Sequence, residues 1–182
     1  MSRPTITEQQ ITGIIQEVIA NARQREENYL SRAAALNPAQ KEPVRAFFPQ
    51  RLLDDVRVLE LKIERVPNPA FQERAQRRGY RLMLDFQHMA DIMHPRLILL
   101  QQKPTSRLLF HALVHVVQYE ILGFERYLEL YVRAFIANES YTSVPLEVQA
   151  FQLDQRFTAN PDRVFSVEDE VRRWAAAEKY SG

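Results

Sequence analysis

The segment TSRLLFHALVHVVQYEILG constrains this chain more than any other. Leu108, Leu109, Phe110, Leu113, Val114, Val116, Val117, Ile121 and Leu122 cover nearly the whole circumference of a helix running from about Ser106 to Leu122. A helix that is apolar all round lies at the centre of a fold. This one also carries His111 and His115, four residues apart and so on one face. Burying two imidazoles is costly unless each finds a hydrogen-bond partner or a metal ion. Thr105 or Ser106 is the expected N-cap, and Gly123 the expected stop.

The rest of the chain must supply the surroundings of that helix. Its 182 residues suffice for a single domain with a real core. Hydrophobic residues at 46% and charged residues at 26% fit a globular protein. A formal charge of +1 implies no broad pull toward nucleic acid or a membrane surface. The apolar stretches are far too short to span a bilayer. The chain has no cysteine, which excludes disulfides and thiolate ligands. Together with the polar start MSRPTITEQQ, this predicts a cytoplasmic protein.

Periodicity divides the chain into a helical and extended part over about 1–90, a core over about 91–160 and a C-terminal helix over 164–180. Residues 7–33 read as an amphipathic helix with Thr7 and Gln10 at capping-box spacing. Leu59 to Val66 alternates as a half-exposed strand does. Phe71 to Arg78 reads as a helix ended by Gly79, Tyr80 to Phe86 as a strand, and Arg96 to Gln102 as a better strand bounded by prolines. Phe124 to Ala137 follows the histidine helix as a second helix, and Pro145 opens a third. The expected fold class is α+β, mostly helical, with a small β-sheet preceding the histidine helix.

Two histidines need a third protein ligand to make a zinc site. Glu139 and Glu147 follow the histidine helix at a suitable remove. Glu139 sits in a polar loop. Glu147 lies among apolar residues in the first turn of a helix, where the dipole favours a carboxylate. The same residues also fit a plainer reading, in which the histidines are core residues bonded to backbone carbonyls and Glu147 serves its own helix. His88 and His94, six residues apart around a turn, read as surface residues.

The order of an apolar strand, an HxxxH helix continuing into VVQY and LG, an aromatic-rich helix and a PLExQA helix resembles bacterial zincin-like metallopeptidases of unknown function. In these, a helix of the HELVHVVQ type precedes an acidic ligand in an LExQA or LExEA motif. The match covers roughly residues 92–157. The resemblance implies that His111, His115 and Glu147 are zinc ligands. It implies that Gln118 and Tyr119 support them. It also implies that the strand near Leu97–Gln101, with Leu99 facing substrate, lines the cleft and pairs with an extended peptide.

One position departs from the pattern. Ala112 stands where such enzymes carry the glutamate that accepts a proton from the attacking water, a role worth about 10²- to 10⁴-fold in rate. No catalytic residue is therefore assigned, and the chain reads as a zinc-binding pseudoenzyme. A peptidase inactivated by replacement of that glutamate would read the same way. Two alternatives stay open: hydrolysis with another base, such as Asp91 or His88 folded over the cleft, and a helical interaction module without metal. Glu120 points elsewhere on the helix.

Overall fold

The computed structural model describes residues 6–70, 72, 85–138 and 140–180. Over these residues the chain is mostly helical with one four-stranded sheet, an α+β arrangement. Helix α1 (Glu8–Leu30) begins at the expected capping box, with Thr7 and Gln10 bonded reciprocally. Strand β1 (Ala34–Ala35), the short helices α2 (Pro38–Lys41) and α3 (Gln50–Asp55) and strand β2 (Arg57–Glu60) follow. Strands β3 (Asp91–Met93) and β4 (Leu97–Leu100) lead into the histidine helix, α4 (Ser106–Leu122). Then come α5 (Phe124–Asn138), α6 (Pro145–Ala159) and α7 (Val167–Ala176). Among the described residues, no helix is long and apolar enough to cross a membrane.

The sheet order is β1-β2-β4-β3. Strand β4 lies between β2, parallel to it, and β3, antiparallel to it. All four β4 residues are buried. A strand covered on both faces reads as an unbroken apolar run, which is why Leu97-Ile98-Leu99-Leu100 does not alternate. Ile98 and Leu100 pack with Phe110, Leu113 and Val117 of α4, while Leu97 and Leu99 pack with Ile15, Val18 and Ala22 of α1.

This topology corrects several expectations. With neighbours along both edges, β4 has no hydrogen-bonding edge for an extended peptide, and Leu99, at 0% exposure, faces no substrate. Among the described residues the outer strand on that side is Asp91–Met93. The strand expected over Leu59–Val66 begins and ends earlier, at Arg57 and Glu60, because pairing with β4 decides its extent and Lys62 turns the chain at φ 53°. The helix expected over 71–78 and most of the strand expected over 80–86 lie outside the described residues. Phe86 itself opens a short helical turn, Phe86–His88.

The histidine helix is fixed from both ends. Thr105 caps it by accepting from the Leu108 amide, and Gly123 ends it at φ 85°. Phe110 stacks on Phe157 of α6 at 4.4 Å, with Phe47 set edge-on to both rings. That aromatic contact sets the register between the helix bearing the histidines and the helix bearing Glu147.

Candidate metal centre

His111, His115 and Glu147 converge in the interior, each less than a tenth exposed. The two Nε2 atoms are 3.1 Å apart. The Glu147 carboxylate oxygen Oε2 lies 3.4 Å from His111 Nε2 and 3.3 Å from His115 Nε2. A tetrahedral ion with bonds of about 2.0–2.1 Å places its ligand atoms about 3.3–3.4 Å apart. The triangle present has nearly those edges.

The second nitrogen of each ring fixes its tautomer. His111 Nδ1 lies 3.0 Å from Asp154 Oδ2, a carboxylate that can only accept, so this nitrogen carries the hydrogen. Asp154 is in turn held through Oδ1 by Nε and Nη2 of Arg107. His115 Nδ1 lies 2.8 Å from Gln118 Oε1. Gln118 is oriented because its Nε2 donates to the Leu146 carbonyl and to Gln149 Oε1. The Tyr127 hydroxyl lies 3.0 Å from the same His115 nitrogen. Both rings thus present Nε2 to the centre, and Tyr131 donates to Glu147 Oε1.

Two neutral rings so arranged would aim two lone pairs and a carboxylate at one buried point, and such a point calls for a cation. Without metal, the cation is a proton. Burial opposes a charge on His111, yet its bonds to Asp154 and Glu147 outweigh that and raise its pKa to about 9. Burial likewise opposes the Glu147 carboxylate, but the two histidines hold its pKa well below the usual range. The buried His-His-Glu group can hold a metal ion, and its N,N,O donor set suits zinc.

The three residues expected as ligands therefore come together, and Gln118 bonds to His115 Nδ1. Tyr119 acts one step further out, stacked at 3.7 Å on Tyr127. Ala112 is fully buried among apolar side chains and offers nothing to the centre. Glu120 faces outward and pairs with Arg51. Glu139 lies outside the described residues. His88 is exposed and pairs with Asp85, but His94, read as a surface residue, is 1% exposed. Strand β3 and its turn into β4 carry His94 under helix α1.

Sequence reasoning passed over Asp154, although it lies seven residues after Glu147, two turns along the same helix face. Such carboxylate partners of histidine ligands commonly account for about 10- to 100-fold of metal affinity. Asp91 is 8% exposed, its Oδ2 has no partner among the described residues, and it lines a cleft of about 630 Å³ together with His111 and Glu147. Burial pushes its carboxyl up to about 6 despite the opposing pull of His111 and His115. Searches against protein-family models, curated proteins and solved structures each returned no match to this chain.

Proposed function

We propose that this chain is a cytoplasmic, zincin-like zinc-binding protein that lacks the hydrolytic base of the metallopeptidases it resembles. The observation that carries this reading is the convergence of His111 Nε2, His115 Nε2 and Glu147 Oε2 at tetrahedral spacing, with each Nδ1 already committed to an acceptor. Zinc at this point would supply a Lewis acid. The protein supplies a rigid, buried ligand set and an open cleft on the His111 side. Strand β3, the outer strand beside that cleft, is the edge along which an extended peptide would pair. Protein purified without a histidine tag is expected to carry close to one equivalent of zinc, lost in His111→Ala. Less than about a tenth of an equivalent, unchanged by that substitution, would overturn the reading.

One observation favours a second reading, residual hydrolysis. The unpartnered Oδ2 of Asp91 reaches the same cleft, and its raised pKa suits a group that accepts a proton near neutrality. On this reading the zinc-loaded chain cleaves an unstructured protein such as casein slowly. Asp91→Asn then lowers that rate by about 10²-fold or more while zinc content stays constant. Cleavage no faster than that of His111→Ala ends the second reading and leaves the first intact.

A further inference from the structure

A smaller cavity of about 70 Å³, which shares Glu147 with the cleft, lies between α1, strand β3 and α5. Its walls are largely apolar and aromatic, with Phe86, Ile92 and Leu128 among them. Two of its lining groups do not belong in an apolar cavity. Arg25 is 9% exposed, and its hydrogen-bond partner is Asn21 of the preceding turn, with its guanidinium over the Phe86 ring at 4.2 Å. Among the described residues no carboxylate pairs with it. His94 is 1% exposed, and among the described residues neither ring nitrogen has a partner.

Each of these is costly as it stands. A buried guanidinium without a counter-ion forfeits its hydration, and burial lowers the pKa of Arg25 to about 10. A buried imidazole with both nitrogens empty forfeits two hydrogen bonds. Burial and the nearby Arg25 charge push His94 down to about 3, so it is neutral and carries one N–H donor. Both groups would be satisfied by one kind of occupant. A carboxylate accepts two parallel bonds from the guanidinium fork and a third from the imidazole. The apolar walls leave room behind it for a short aliphatic stem, since a cavity of this size exceeds several times the roughly 10–15 Å³ that one water requires. Glu147 borders the cavity too, but its oxygens are engaged by Tyr131 and the two histidines, so its charge is offset.

We infer that the Arg25–His94 cavity is a binding site for a carboxylate on a short aliphatic stem. The stem belongs either to a free short-chain acid or to the side chain of a glutamate in a bound peptide. The site stands independently of the metal.

Calorimetric titration of the full chain tests it, after treatment with chelator so that no acid is counted as bound to a metal ion. Butyrate represents the free acid, N-acetylglutamate amide the peptide side chain, and butyramide the neutral shape. Butyrate is expected to bind with Kd of about 1 mM or tighter, and butyramide at least about tenfold more weakly. Arg25→Met should weaken butyrate by at least about tenfold, in a protein that still folds because a buried ion gives way to an apolar stem. Binding of butyrate alone assigns the site to free acids, and binding of both anions assigns it to the shared carboxylate chemistry. Binding of neither anion, or equal binding of butyrate and butyramide, overturns the inference.

Discussion

Stripping the metal should lower the melting temperature by about 8–16 °C. A ligand that binds only the folded state stabilises it by mass action, by about 4 kcal/mol at a thousandfold excess over Kd. For a chain of this length, 1 kcal/mol is worth about 2–4 °C. The effect is large because the ligand atoms are held together only by the fold. His111 and His115 share a helix, but Glu147 reaches them through the packing of α6 on α4. In the unfolded chain the three do not converge. Thermal scans with excess zinc and with chelator measure the difference, and His115→Ala should show none. If the histidines were ordinary core residues, the wild-type curves would coincide, and the metal reading would fall with them.

In the metal-free protein, stability should fall by roughly 3 kcal/mol as pH rises from about 6.5 to about 9. His111 titrates near 9 in the folded protein and at its ordinary value of 6.5 when unfolded. The folded state therefore binds the extra proton between these values. The stabilisation is complete below pH 6.5 and gone above pH 9. Other buried groups act outside this window. Asp91 and His94 shift stability below pH 6.5, and Arg25 above about pH 10. The depressed Glu147 carboxyl acts below 4.5 and expresses the same interaction from its partner's side. Metal at the centre replaces that proton, so the loaded form should show no such fall, and binding at neutral pH should release a proton. Urea melts at pH 6.5 and pH 9, with and without zinc, measure both effects. A metal-free protein whose stability is flat across this range, or unaltered in slope by His111→Ala, would contradict the assignment.

Much of the candidate centre was legible before the fold. HALVH and PLEVQA are local patterns: helical periodicity places His111 and His115 on one face, and the first turn of a helix suits Glu147. Asp154 stands at an equally legible spacing from Glu147, but nothing in its neighbourhood marks it as buried. His94 reads as exposed for the same reason. Its local sequence, Met-His-Pro, resembles an exposed turn, and segments distant in the chain, α1 about seventy residues earlier among them, cover it.

The role of the Leu97–Leu100 strand shows the same limit. Its apolar run declares that both faces are buried, but it says nothing about its edges. Whether a strand can accept a peptide depends on which other segments hydrogen-bond to it. Here β2, from far earlier in the chain, takes one edge and β3 the other.

Local sequence is enough for the long helices α1, α4, α5 and α6, for the caps at Thr7, Thr105 and Gly123, for the histidine pair and for the alanine at position 112. These depend on side-chain identity and on spacings of three, four or seven residues, which a helix converts directly into geometry. Tertiary packing alone brings Glu147 to the histidines at metal-ligand spacing and opens Asp91 onto their cleft. It alone left Arg25 and His94 facing an apolar cavity with bonds unmade. Those outcomes arise from non-local packing, because burial changes the energy of a polar group only once distant segments have closed over it.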